Sequence, residues 1–205
     1  MLGSSIRACA FQHVVKIHLR LVEESPHHIQ ILQSSADPTW QNCRSGPFLV
    51  NLNDYLIDQT GKDWGDLLSG WADLLPPSLT VWLVNRFGDV ISVLEDGSVH
   101  LLDVSAGTFE RIANDREHFA DEIDRHENAN NWLVIPLVDR CVSAGLVLGP
   151  DRCYCYKVPP MLGGQYTFEN VATISLSEHY AFLSDIWQQT KDLPEGTPIR
   201  LVVKR

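Results

Sequence analysis

The chain has 205 residues, 44% hydrophobic and 20% charged, a balance that supports a folded domain with a sizeable core and excludes a fibrous or wholly disordered chain. Sixteen Lys and Arg stand against 26 Asp and Glu, a net charge of -10. That balance argues against a nucleic-acid surface, which a phosphate backbone would select to be basic, and towards basic proteins as partners.

Residues 1–47 differ in composition from the rest. They carry Arg7, Lys16, Arg20 and Arg44 against Glu23, Glu24 and Asp37, so the charge of residues 48–205 is -11. They also hold His13, His18, His27, His28, Cys9 and Cys43. Recognisable pattern begins near Leu49-Val50-Asn51-Leu52, so residues 1–47 are expected to be a poorly ordered extension, translated from a misassigned start. Residues 48–205 are then a single domain. No apolar run approaches the roughly 18 residues of a membrane span, and His13, Lys16, His18 and Arg20 interrupt any signal-like stretch. The expectation is a cytoplasmic protein whose five cysteines are thiols, since an odd number suits a reducing compartment.

In chain order, Asn53–Ile57 is a short helical pattern. Trp64, Leu67, Leu68, Trp71, Leu74 and Leu75 then paint one face of a second helix, capped by Asp63 and stopped by Pro76-Pro77. From Leu79 the period changes to that of strands. Thr80–Val84, Val90–Leu94, Ser98–Leu102 and Thr108–Ile112 are separated by Phe87-Gly88-Asp89, Glu95-Asp96-Gly97 and Ser105-Ala106-Gly107, the signature of a four-stranded antiparallel meander. Asn114 or Asp115 caps a helix over Arg116–Arg125. Asn130 or Asn131 starts another over Trp132–Ala144, with Pro136 early in it and Gly145 at its end. Cys153–Lys157 and Phe168–Ser175 are strands around the Pro159–Gly164 loop. Leu176–Thr190 is a helix with Ser177 near its start, and Ile199–Val203 is a last strand. The fold class is α+β: an antiparallel meander sheet, five to six strands in all, with four to five helices.

Little in this pattern carries chemistry. Asp115, His118, Glu122 and His126 fall three or four residues apart on one side of a helix, which would suit a metal-dependent enzyme built on His118, Glu122 and His126; the interleaved Arg116, Glu117, Asp121, Asp124 and Arg125 favour a solvated charged face. Cys153-Tyr154-Cys155 lacks the spacing of a metal knuckle, and one cysteine is expected in the core and one at the surface. Gly163-Gly164 precedes a strand, so it reads as a tight turn and not as a phosphate cradle. Trp64, Trp71, Trp82, Trp132 and Trp187 sit on apolar faces and are expected in the core. No catalytic residue, cofactor or metal is assigned. Charge alone marks Asp89, Glu95, Asp96, Asp121, Glu122 and Asp124 as candidate contacts for a basic partner.

Four segments occur together in order: Trp82-Leu83-Val84-Asn85-Arg86-Phe87-Gly88-Asp89, Leu94-Glu95-Asp96-Gly97-Ser98-Val99-His100-Leu101-Leu102-Asp103-Val104, Tyr156-Lys157-Val158-Pro159-Pro160-Met161-Leu162-Gly163-Gly164 and Lys191-Asp192-Leu193-Pro194-Glu195-Gly196-Thr197. Over about residues 52–203 the chain resembles the C-terminal domain family of type VI secretion system immunity protein Tdi1. The resemblance implies a non-catalytic immunity protein that binds and neutralises a secreted DNase effector. It also implies a preceding GAD-like domain, which residues 1–47 are too short to supply. The alternative is an orphan interaction domain without a cognate toxin.

Overall fold

The computed structural model describes residues 52–194 and 196–199. The expected 1–47 extension and all but Ile199 of the expected 199–203 strand lie outside the described residues. Ile199 itself is in no strand.

The centre is a four-stranded antiparallel meander, β1 (Leu79–Val84), β2 (Val90–Leu94), β3 (Val99–Asp103) and β4 (Thr108–Ala113), in spatial order β1-β2-β3-β4. Its turns are where the Gly-containing segments predict them, and Gly88, Gly97 and Gly107 all take positive φ. A bulge between Val81 and Leu83 interrupts the β1–β2 register, so Trp82 and Leu83 both pack on the same side of the sheet. A second antiparallel pair, β5 (Arg152–Tyr156) with β6 (Val171–Ser175), completes the α+β fold.

Each face of the meander carries its own core. On one, Ile91, Val99, Leu101, Trp82 and Leu83 meet α2 (Arg116–Ile123), α3 (Asn128–Trp132) and α4 (Ile135–Ser143) through Phe119, Ile123, Leu133, Val138 and Cys141. On the other, Val81, Val90, Leu102 and Val104 meet α1 (Trp64–Leu67) and α5 (Leu176–Thr190) through Trp64, Leu68, Trp71, Tyr180 and Leu183. Alternation along β5 serves both: Cys153 joins the second core while Tyr154 and Tyr156 join the first. Full burial of each large apolar side chain contributes about 1.5–3 kcal/mol.

Capping follows the sequence, with adjustments. Asp63 accepts from the Asp66 amide and Asp115 from the His118 amide, as their types predict. At α5 the cap is Ser175, whose hydroxyl accepts from the Glu178 amide, two residues before the expected Ser177. The 64–75 pattern is not one helix. α1 ends after four residues and a 3-10 turn over Ser69–Trp71 follows, in which Gly70 lies against Ser184 of α5 too closely for a Cβ. The expected Trp132–Ala144 helix starts later, as α4: Trp132 instead ends α3, and Val134 adopts the left-handed region (φ 52) and turns the chain between α3 and α4, with Pro136 in the first turn of α4. Only the 171–175 part of Phe168–Ser175 is strand; a 3-10 turn occupies Phe168–Asn170.

Of the five tryptophans expected inside, Trp64 and Trp71 are fully buried. Trp82, Trp132 and Trp187 are half-buried. Trp82 and Trp132 flank Phe119, at 5.1 and 5.3 Å between ring centroids, and Arg116 covers the outer face of Trp82.

Candidate functional site

The β1–β2 turn, Asn85 to Asp89, is where every layer meets. The Asn85 side-chain carbonyl accepts from the Phe87 and Asp89 amides, and its Nδ2 donates to Asp89 Oδ2 (2.8 Å) and to the Trp132 carbonyl at the end of α3 (2.9 Å). Asp89 Oδ1 accepts from the Val104 amide beyond β3. From α5, Tyr180 donates to the Gly88 carbonyl (2.7 Å), and His179 Nε2 lies 2.9 Å from the Phe87 carbonyl. From β5, the Tyr154 amide donates to the Arg86 carbonyl. The first of the four family-like segments is thus a structural junction.

This placement corrects the reading of Asp89. Its residue type and turn position suggest a solvated contact, yet it is only 7% exposed and its carboxyl is enclosed. Burial and the neighbouring Asp103 carboxylate push its pKa well above the usual range, against the hydrogen bonds from Asn85 and Val104. It is not available to a partner at the surface.

The other five acidic candidates fall in two places. Glu95 and Asp96 are exposed on the β2–β3 turn. Asp96 is held by the Ser98 amide and hydroxyl, which lower its pKa. The pairs Val93↔Val99 and Val99↔Ala113 put this turn at the same end of the sheet as the β4–α2 junction. Asp121 and Asp124 are exposed at and just beyond the C-terminal half of α2, whereas Glu122 is half-buried and engaged by Arg125 at 2.6 Å and His118 at 3.4 Å.

The metal alternative loses its geometry. Asp115 is spent on the His118 amide, and His118 Nδ1 accepts from the Asn114 amide. α2 ends at Ile123, so His126 (φ 52) lies beyond it and off the expected helical face. Among the described residues no three His, Cys, Asp or Glu side chains group as a metal would need. The three described cysteines are equally quiet. The expected split of one cysteine in the core and one at the surface does not occur: two residues apart on a strand, they share a side of β5, with Cys153 buried and Cys155 half-buried. Burial pushes Cys141 and Cys155 up to about 11 and raises Cys153 strongly, which leaves little thiolate at neutral pH.

A different constellation forms beside the junction, and the sequence reading passes it over. Asp103, at the end of β3, points to the same side of the sheet as Val99 and Leu101, because side chains alternate. Its Oδ1 accepts from the Ser105 and Ala106 amides at 2.9 and 2.8 Å. Tyr156 of β5 is stacked on Phe87 (5.0 Å) and met edge-on by Tyr166 (5.3 Å, 79°). The loop bearing Tyr166 is tied to the β3–β4 turn by the Met161 amide, which donates to the Ser105 carbonyl, and is braced by Asn170, which donates to the Val158 and Gln165 carbonyls. Gly163-Gly164 builds this loop as the expected tight turn. Gly163 is left-handed, and a Cβ on Gly164 would lie 1.7 Å from the Val158 carbonyl oxygen. Burial raises both phenols, Tyr166 up to about 12, and the Asp89 and Asp103 charges add to the effect.

Among the described residues, no helix is long and apolar enough to cross a membrane. No curated protein matches the chain. The chain is similar to Atu4351 from Agrobacterium tumefaciens at 17% identity and a TM-score of 0.38, with 58% of this chain and 60% of that one covered; it therefore spans less than two thirds of that protein. Residues 113–187 match the family described as T6SS immunity protein Tdi1, C-terminal, the family that the sequence motifs resemble.

Proposed function

We propose that this protein is a non-catalytic immunity protein that binds a toxic effector, and that the effector is a basic DNase. The family match over residues 113–187 is the observation that carries the reading. The -11 charge of residues 48–205 supports it. A DNA-cleaving enzyme needs a basic groove, and an acidic protein meets that groove with complementary potential and fast association. The interface proposed from charge comprises Glu95, Asp96, Asp121, Glu122 and Asp124, without Asp89. A cytoplasmic location follows from the same reading, since a DNase acts where the chromosome is.

Co-expression with a DNase effector encoded beside its gene tests this. Growth restored by the full chain, with the two proteins copurifying, is the expected outcome. Toxicity undiminished and no complex would leave the orphan interaction domain as the better description.

A further inference from the structure

We propose that Asp103, Tyr156 and Tyr166 form an anchoring site for an arginine side chain of a protein partner. The proposal rests on the reading of this chain as a protein-binding module and names a specific contact for it.

Three observations carry it. First, Asp103 uses only Oδ1 for its own turn. Oδ2 makes no hydrogen bond among the described residues, and it is not sealed from solvent. Asp89 lies on one side of it and the Glu110 charge reaches it from β4, yet no Lys, Arg or His among the described residues forms an ion pair with Asp89 or Asp103. A half-buried carboxyl group without a counter-cation makes a site of negative potential.

Second, Tyr156 is only 6% exposed, and its hydroxyl makes no hydrogen bond among the described residues while keeping contact with solvent. Buried phenols ordinarily find a partner. Here the negative charges of Asp89 and Asp103 and the ring of Tyr166 bear on it. A buried hydroxyl without a partner, in the core on the side of the sheet to which Asp103 points, can accept from a donor that comes from outside.

Third, Tyr166 is 57% exposed although it is a large aromatic, and its loop is fastened by the Met161 amide on the Ser105 carbonyl and by the Asn170 side chain on the Val158 and Gln165 carbonyls. An exposed ring on a loop tied to the turn that follows Asp103 is a surface on which a planar cation stacks. Guanidinium fits this combination better than ammonium, because it is planar, weakly hydrated and donates in a fork. Exposed Tyr anchors receiving Arg are typical of the centre of a protein interface.

The test uses the full chain and small probes, so it does not depend on the identity of the effector. N-acetyl-arginine amide, N-acetyl-lysine amide and the neutral N-acetyl-glutamine amide are titrated to millimolar levels, while the Ser105, Ala106 and Tyr166 amides are followed by NMR. Saturable shifts with the arginine probe, weaker with lysine and absent with glutamine, are expected. Asp103→Asn keeps the Oδ1 acceptor for the turn and should weaken the arginine probe about tenfold; Tyr156→Phe should weaken it several-fold without loss of stability. Equal response to lysine and arginine, or no saturable shift at these amides, would overturn the proposal, including the case in which this chain's own basic residues fill the site. Failure of the effector complex in co-expression, with the probe result intact, would count against the immunity reading alone.

Discussion

Single residues decide what the acidic composition means. Asp89 and Asp96 are both turn aspartates in family-like segments. One holds the Asn85 and Val104 groups inside the molecule, and the other is a solvated surface charge. No local pattern separates them, because the turn that holds Asp89 is enclosed by a distant element, with His179 and Tyr180 reaching Phe87 and Gly88 from 92 residues along the chain. Asp89→Ala strands a buried amide and an Asn side chain, and urea titration should show a loss of about 2–3 kcal/mol.

His179 gives a pH signature. Burial lowers it to about 4 from 6.5. An unfolded chain therefore takes up a proton near 6.5 that the folded state refuses, so the stability from the neutral ring is full above that pH and is lost as the pH falls towards 4. Asp89 and Asp103 act in the opposite direction, since raised carboxyls favour the folded state at low pH. His179→Gln keeps a donor for the Phe87 carbonyl. In denaturant titrations at pH 7 and pH 5 it should lose less stability on acidification than the parent. His126 sits exposed at φ 52, a cost for any residue with a Cβ. His126→Gly should raise thermal stability by about 0.5–1 kcal/mol, whereas a ligand or core residue there would lose it.

At the scale of elements, the meander was legible and the helical connections were less so. Asp96-Gly97 between apolar runs, and Phe87-Gly88-Asp89 before β2, announce hairpins by local turn chemistry, so all four strands lie within a residue or two of their expected bounds. The helix expected from Trp132 starts only at Ile135, because the chain turns at Val134, a β-branched residue in the left-handed region, for which propensity offers no signal. Beyond the early end of α1, Gly70 packs on Ser184, a contact between segments far apart in sequence. The Tyr166 loop depends on a comparable close approach. Gly164→Ala would drive a Cβ into the Val158 carbonyl, and a loss of about 2 kcal/mol or more by thermal melting is expected.

Across the whole molecule, the four family-like segments prove to be largely architectural. The first is the junction, the second contains the meander turn and Asp103, and the third builds the loop that carries Tyr166. In the fourth, Lys191 pairs with Asp73 and lies over the Trp187 ring. Segments of this kind carry turns and packing contacts, so they say little about a contact surface. The Asp103, Tyr156 and Tyr166 grouping was hidden for the same reason, since its members come from two separate segments and the loop beyond them, and meet only after β5 packs beside the β1–β2 turn. The overall charge carries the remaining functional information. An acidic domain of this size is expected to bind a basic partner with an affinity that falls steeply with salt.

The most direct test of the proposed immunity function is the affinity of the purified full chain for any DNase effector encoded beside its gene, measured by calorimetry at low and at physiological salt. A one-to-one complex that blocks DNA cleavage and weakens at least about tenfold as salt rises is the predicted result. Absence of binding at low salt, or binding that leaves DNA cleavage untouched, would contradict it.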